Sequence, residues 1–231
     1  MHKIIYFPVK QTTEGFDLTI KESAYNPKAY SWQLENEHRN ALSAAADMIS
    51  DTDKVIVGDL DEIPNPFLLK KINPADEPVA LSMLFHYYFF NCQRIAMDRW
   101  WNGSVVTSGK NFKKFAPQIF RDNRNNYTRS KKAGWHFSYL GGAEKIKYKI
   151  RSFAHTELDS EEFLQDEHLL KVISNAEDIF KRPGFRFKFV SLYNYPFWLR
   201  KQMLDYPLFL SGVFQRSTLK KNWFALKRIF S

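Results

Sequence analysis

The segment of residues 54–64 constrains the fold more than any other part of this sequence. Residues 55–57 form a short β-branched apolar run, which is typical of a buried parallel strand. Three carboxylates follow at once: Asp59, Asp61 and Glu62. Ligands of open α/β sheets bind at the C-terminal ends of the strands. The segment therefore predicts a strand that delivers acidic side chains to a functional site.

The spacing of the acidic residues favours a metal site. Asp59 and Asp61 stand two positions apart, so in an extended chain both side chains point to the same side. Two carboxylates on one side suit a hard divalent cation that also binds a substrate phosphate. Glu62 adds a third negative charge, and crowded like charges are unfavourable without a counter-ion. The alternative is a solvated acidic turn with no function.

Length and composition predict a globular domain followed by a basic extension. The chain has 231 residues, of which 44% are hydrophobic and 16% aromatic, and this excludes a disordered protein. Residues 181–231 contain eleven Lys or Arg and one acidic residue, whereas the whole chain has a net charge of +9. We therefore expect a domain at 1–180 and a helical, aromatic extension at 181–231. The extension either packs on the domain or contacts an anionic membrane surface.

The cysteine count and the N-terminal residues bear on location. Cys92 is the single cysteine, which excludes an intramolecular disulfide and a zinc site of several thiolates. Residues 1–9 are too short and too soon interrupted by proline to form a signal peptide, and no apolar run is long enough to span a membrane. We predict a cytoplasmic protein, with residues 181–231 available for contact with the inner face of the membrane.

Strand and helix patterns alternate along the chain. Strands are predicted at 2–9, 55–57, 79–90 and 134–140, helices at 31–49 and 66–72, and a further helix after residue 142. The helix at 31–49 has an apolar stripe that includes Leu34, Leu42 and Met48. Residues 121–132 are basic and Asn-rich, which predicts a mobile loop. The alternation favours an α/β fold with an open, mostly parallel sheet flanked by helices.

Six short motifs follow one another within residues 32–180. They are Trp32-x-x-Glu35-x-x-x-Arg39-Asn40, the acidic segment at 55–64, the aromatic run at 87–91, Trp100-Trp101, Gly134-Trp135-His136, and Ser152 to Glu157. In this order they resemble glycosyltransferase family 17, the family of the β-1,4-mannosyl-glycoprotein β-1,4-N-acetylglucosaminyltransferases and their bacterial relatives. Family members carry further sequence before the counterpart of residues 2–9, so we expect a shortened N-terminal part.

The resemblance implies a GT-A-like fold and an inverting glycosyltransferase. The implied donor is a nucleotide sugar such as UDP-N-acetylglucosamine, the acceptor is a glycan, and the cofactor is Mn²⁺ or Mg²⁺; a nucleic-acid partner is not expected. The D-x-D pair Asp59 and Asp61 matches the metal-and-diphosphate motif of the family. Arg39 and Trp135 stand at matching positions and are expected to bind the donor.

Two histidines are candidates for further metal ligands. His136 and His155 both belong to matching motifs, and neutral imidazole is an acceptable ligand for Mn²⁺. The alternative for His136 is a hydrogen-bonded core residue. The alternative for His155 is a cation at a helix C-terminus, where the helix dipole favours positive charge.

Direct displacement of the nucleotide also requires a carboxylate that accepts the proton of the acceptor hydroxyl. The candidates are Asp98, Glu62 and Glu157. Asp98 is favoured because the neighbouring Trp100 and Trp101 offer rings that stack on a sugar face. A surface charge at Asp98 and core packing of the two tryptophans are the alternatives.

Two other functions remain open from the sequence. Aspartyl-phosphate phosphatases also place a D-x-D pair after a strand, although residues 62–64 fit their pattern poorly. A non-catalytic module that binds membranes or nucleic acid through residues 181–231 is the second alternative.

Overall fold

The computed structural model describes residues 4–20, 28–74, 77–95, 99–152 and 158–211. The chain forms two compact units whose segments alternate along the sequence. The first unit is drawn from Met1–Met83, Trp100–His136 and Ile150–Ser160, and the second from Leu84–Arg99, Phe137–Lys149 and Glu161–Ser231. The boundary at residue 180 stays a prediction, and residues 212–231 of the expected extension lie outside the described ranges.

The regular elements alternate between strands and helices, which confirms the α/β class. The described strands are β1 (Lys54–Val57), β2 (Glu62–Pro64), β3 (Val79–Tyr87), β4 (Cys92–Arg94), β5 (Trp100–Ser108), β6 (Thr128–Ser130), β7 (Gly134–Ser138) and β8 (Phe187–Phe189). The described α-helices are α1 (Tyr30–Asn40), α2 (Pro66–Leu69), α3 (Gly109–Lys114), α4 (Pro117–Asp122), α5 (Gly142–Ser152), α6 (Glu161–Leu164), α7 (Asp166–Asn175) and α8 (Phe197–Leu204). Short 3₁₀ helices occupy Ala41–Met48, Leu192–Asn194 and Pro207–Phe209.

The sheet of the first unit is mixed. Strand β5 lies between β1 and β3 in the strand order. Strand β1 pairs with β5 in the antiparallel direction, and β2 pairs with β7 in the same way, whereas β6 pairs with β3 in parallel. The prediction of a mostly parallel sheet was therefore wrong. An apolar run indicates that a strand is buried, but its direction depends on a partner strand that the run itself does not identify.

Strand β1 is half exposed rather than fully buried. Val57 is buried, but Lys54 and Ile56 are exposed, and Ile56 keeps 40% of its surface accessible. Residues 4–9 were predicted to form a strand, yet they have no regular secondary structure and are mostly exposed. That prediction was wrong over the described positions, because an apolar stretch forms a strand only where it pairs with the edge of another strand. Residues 2 and 3 lie outside the described ranges.

Two apolar clusters cover opposite faces of the sheet in the first unit. Val105 and Val106 are adjacent in β5, so their side chains point to opposite faces. Val105 packs with Val57 and with Phe112 and Phe120 of helices α3 and α4. Val106 packs in a second cluster, whose partly buried members include residues of α2. The sheet is thus flanked by helices on both faces of this unit.

The first helix differs from its predicted pattern. The segment predicted as one helix is α1 followed by a 3₁₀ helix, and Leu42 and Met48 of the predicted apolar stripe are exposed. The buried residue of α1 is Trp32. Arg39, on the same helix, is largely inaccessible and faces the acidic segment. The helix therefore turns a polar face inward, which an apolar-stripe argument does not detect.

The second unit contains the end of β3 together with β4 and β8. His86 of β3 lies opposite Gln93 of β4, and β4 pairs with β8; both pairings are antiparallel. Asn91 closes this unit through two hydrogen bonds with Ser211, one to its hydroxyl at 3.0 Å and one from its backbone N–H at 3.0 Å. None of the helices within the described ranges is both long enough and apolar enough to cross a membrane.

Candidate active site

The two aspartates of the D-x-D pair lie in a tight turn, not in a strand. Strand β1 ends at Val57, and β2 begins at Glu62. Between them, the backbone N–H of Glu62 donates to the carbonyl oxygen of Asp59 at 3.1 Å, which closes a four-residue turn. The strand alternation assumed for Asp59 and Asp61 therefore does not apply. We call this segment, Asp59 to Glu62, the acidic turn.

Asp59 is held between two arginines. Nη2 of Arg39 lies 3.2 Å from Oδ1 of Asp59, and Nη2 of Arg121 lies 2.9 Å from Oδ2. Arg39 also pairs with Glu35 at 3.0 Å, one helical turn earlier in α1. Burial by itself lowers the pKa of Arg39, but attraction to Asp59 and Glu35 outweighs it and raises this pKa overall. The guanidinium group of Arg39 is therefore firmly charged at neutral pH.

Helices α1 and α4 bring the two arginines together. Arg39 donates to the side-chain oxygen of Gln118 in α4, and the backbone N–H of Gln118 donates to Oδ1 of Asn40 at 2.9 Å. Arg121 belongs to α4, which begins with Pro117 at its first turn. The prediction of a mobile loop at 121–132 was thus wrong at two places. Arg121 belongs to a helix, and residues 128–130 form strand β6. Proline at the first helical position should have indicated this helix.

Glu62, the last residue of the acidic turn, is buried, and donors surround both of its carboxylate oxygens. Oε1 accepts from Nε1 of Trp101 at 2.6 Å and from Nη1 of Arg121 at 3.2 Å. Oε2 accepts from the hydroxyl of Ser104 at 2.8 Å and from the backbone N–H of Asp59 at 3.2 Å. The lone pairs of the carboxylate are thereby occupied by four donors.

Glycine makes room for this buried carboxylate. A Cβ atom added at Gly103 of β5 would collide with the Glu62 carboxylate, and one added at Gly58 would collide with the side chain of Ser104. Close packing of this kind is a common reason for glycine inside a strand. The backbone therefore forms one wall of the cavity that Glu62 fills.

Asp61 points to a different partner. Nε2 of His136 lies 3.3 Å from Oδ1 of Asp61, and His136 stands opposite Glu62 in the β2–β7 pairing. The neighbouring Trp135 is buried in β7, opposite Ile63. The structure thus brings five predicted site residues, Asp59, Asp61, Glu62, Arg39 and His136, around the acidic turn. The role predicted for each of them, and for Trp135, stays a prediction.

Three predicted site residues lie outside the described ranges. They are Asp98, His155 and Glu157. Asp98 and Glu157 stay predictions as the catalytic base, and His155 stays a prediction as a metal ligand.

The surroundings of the turn also include Arg124, Ser104 and Gln118, which were not predicted as individual site residues. They include Trp101 as well, whose predicted stacking on a sugar stays a prediction. The guanidinium carbons of Arg121 and Arg124 lie 5.3 Å and 5.5 Å from the ring centre of Trp101. The sequence signalled the two arginines only as members of a basic stretch, and Trp101 only as a ring for a sugar. Nothing in the sequence marks Ser104 or Gln118, because serine and glutamine are common at surfaces.

The donor set at the acidic turn suits a hard divalent cation. Asp59 and Asp61 offer carboxylate oxygens, which Mn²⁺ and Mg²⁺ prefer, and such cations take further ligands from phosphate oxygens and water. A cation at Asp59 would compete with the two guanidinium groups that now contact its oxygens. Within the described ranges, no group of three or more His, Cys, Asp and Glu side chains is placed to hold a metal ion.

Comparison with known proteins identifies a family. A family model described as Glycosyltransferase family 17 matches residues 10–206, a span that includes the acidic turn and both arginine-bearing helices. No curated protein and no solved structure matches the chain.

Proposed function

Because the chain belongs to glycosyltransferase family 17 and is therefore a glycosyltransferase, we propose that it transfers N-acetylglucosamine from UDP-N-acetylglucosamine to a glycan hydroxyl. The family implies a nucleotide-sugar donor and an acceptor. Inversion at the sugar carbon and dependence on Mn²⁺ or Mg²⁺ are further parts of the proposal. The family match favours this function over an aspartyl-phosphate phosphatase.

The arginine-clamped Asp59 is the observation that carries the proposal. Transfer leaves a nucleoside diphosphate, and its growing negative charge must be stabilised in the transition state. Arg39 and Arg121 are held beside the acidic turn by α1 and α4, so their charges are in place before a donor arrives. Guanidinium groups fixed in this way place positive charge beside the phosphate oxygens of the leaving group.

Asp59 and Asp61 would hold the metal ion, with His136 and His155 as further candidates. When bound, the metal acts as a Lewis acid on the diphosphate of the leaving group. The remaining chemistry belongs to the chain. Arg39 and Arg121 balance the charge of Asp59, and His136 orients the carboxylate of Asp61.

The catalytic base must be a carboxylate with a free lone pair for the proton of the acceptor. Both oxygens of Glu62 already accept two hydrogen bonds each, which makes Glu62 a poor acceptor for a further proton. We therefore assign proton acceptance to Asp98, with Glu157 as the alternative, and give Glu62 the role of positioning Arg121 and Trp101.

Nucleotide release from sugar donors tests the proposed function. Purified protein with Mn²⁺ should release UDP from UDP-N-acetylglucosamine in the presence of a glycan acceptor, and other UDP- and GDP-sugars should serve less well. Asp59→Asn and Asp61→Asn should each lower kcat/KM by about 100-fold, since each removes a charge that contacts the leaving group or its metal.

Asp47→Asn is the matched control, because Asp47 is an exposed aspartate of the same unit. Its activity should equal that of the wild type. Full activity in either acidic-turn variant, or unchanged activity in excess EDTA, would refute the assigned role of the turn.

A further inference from the structure

We propose that Arg124 and Arg121, whose guanidinium carbons both lie within 6 Å of the Trp101 ring centre, form a clamp for the pyrophosphate group of the donor and of the nucleoside diphosphate product. The clamp also binds inorganic pyrophosphate when no metal is present. The identity of the physiological anion rests on the proposed function; the anion site itself does not.

Arg124 lacks the acidic partners that the other two arginines have. Arg39 and Arg121 each form ion pairs with two carboxylates. Among the residues that the structure describes, Arg124 has a hydrogen bond from Nη1 to the backbone oxygen of Arg121 at 3.0 Å and no ion pair. Most of its donors are therefore available to a ligand.

The electrostatic surroundings of Arg124 favour an incoming anion. Burial, followed by repulsion from Arg121, lowers the pKa of Arg124 to about 10, and attraction to Glu62 and Asp59 does not compensate. The group remains charged at neutral pH, but its charge is not balanced. A phosphate oxygen beside it would supply the missing attraction.

Trp101 explains how two like charges can stay adjacent. Both guanidinium carbons lie within 6 Å of its ring centre, a distance at which a cation is attracted to the aromatic face. The indole N–H is bonded to Glu62 at 2.6 Å, so the ring is fixed by a buried anchor. The platform is therefore rigid before any ligand binds.

Arg121 and Arg124 differ in their contacts and therefore have different roles in the clamp. Arg121 is tied to Asp59 and Glu62, so it contributes a positioned charge. Arg124 is not tied to an acid and contributes the planar fork that binds two oxygens of a phosphate at once. A free fork beside a second fixed positive charge matches two linked phosphate groups better than it matches a single phosphate.

Calorimetric titration with inorganic pyrophosphate and with UDP tests the clamp. The full chain is titrated in EDTA and, separately, with Mn²⁺. Arg124→Gln should weaken pyrophosphate binding in EDTA by about 10- to 100-fold, the loss expected for charge-assisted hydrogen bonds. Arg124→Lys should show an intermediate loss, because it keeps the charge but not the fork.

Arg129→Gln is the control, since Arg129 is an exposed arginine of β6 in the same basic stretch. It should bind pyrophosphate like the wild type. Thermal unfolding of each variant verifies folding, and Arg124→Lys carries the test if the glutamine variant is unstable. Wild-type affinity in both folded Arg124 variants, or an equal loss in Arg129→Gln, would overturn the clamp.

The result separates the clamp from the proposed function. If the wild-type protein binds pyrophosphate through Arg124 but releases no nucleotide from any sugar donor, the clamp is supported and the proposed transferase activity is refuted. If the wild-type protein is an active transferase but the Arg124 variants bind pyrophosphate normally, the proposed function is supported and the clamp is refuted.

Discussion

Among single residues, Glu62 has the most demanding environment. It is a buried acid whose two oxygens receive hydrogen bonds from Trp101, Ser104, Arg121 and the backbone of Asp59. A buried charge is expensive unless paired and hydrogen-bonded, and here it is both. In return, Glu62 fixes the orientation of the groups that surround the acidic turn.

Glu62→Gln tests this positioning role. The amide keeps the size of the side chain, but either orientation directs an N–H group at a donor, the Trp101 indole or the Asp59 backbone. We expect the free energy of unfolding to fall by about 2 to 4 kcal/mol, which urea denaturation measures. Glu37→Gln, at an exposed position of α1, should change it by less than about 0.5 kcal/mol. Equal stability of the two variants would show that the buried charge is not needed.

The acidic residues could be predicted from the sequence because their close spacing forms a recognisable motif. Asp59, Asp61 and Arg39 all belong to motifs, and they lie around one turn in the structure. Ser104 and Gln118 contribute through contacts with residues far away in the chain, and no local pattern encodes such contacts. Residues of that kind become visible only when the fold brings them together.

Among the elements, β1 decides how the acidic turn is presented. It pairs with β5 along one side and buries only Val57, while Ile56 remains partly exposed on the other face. The sequence predicted the position of this strand correctly but not its antiparallel direction or its exposure. Val, Ile and Val in succession suggest burial on both faces, and the position of a strand within its sheet is a tertiary property.

Val57→Ala and Ile56→Ala together test the one-sided burial of β1. Val57→Ala should lower the free energy of unfolding by about 2 kcal/mol, because it removes buried methyl groups from the cluster with Val105, Phe112 and Phe120. Ile56→Ala should cost less than about 1 kcal/mol, since much of that side chain stays in water. Both variants are measured by chemical denaturation. A larger loss for Ile56→Ala would mean that the exposed face of β1 is covered.

For the whole molecule, the single cysteine provides a reporter of unfolding. Cys92 begins β4 in the second unit and has no accessible surface. Burial raises the pKa of its thiol to about 12, whereas the reactive form of cysteine is the thiolate. In the folded protein the group is therefore both inaccessible and protonated.

A thiol reagent should accordingly label Cys92 only when the second unit opens. At pH 8 we expect no labelling of the native protein over minutes and stoichiometric labelling in denaturing urea. The raised pKa also makes stability fall as the pH rises from about 9, where the unfolded thiol ionises, to about 12, where the folded one does. Rapid labelling of the native protein at pH 8 would contradict this burial.

The close approach of Gly103 to Glu62 has an evolutionary consequence. Any side chain at position 103 would need the space that the carboxylate fills, so the two positions cannot vary independently. A homologue with alanine there would be expected to carry a shorter acid, such as aspartate, in place of glutamate. Such paired substitutions within the family would result from the steric clash between a side chain at position 103 and the carboxylate at position 62.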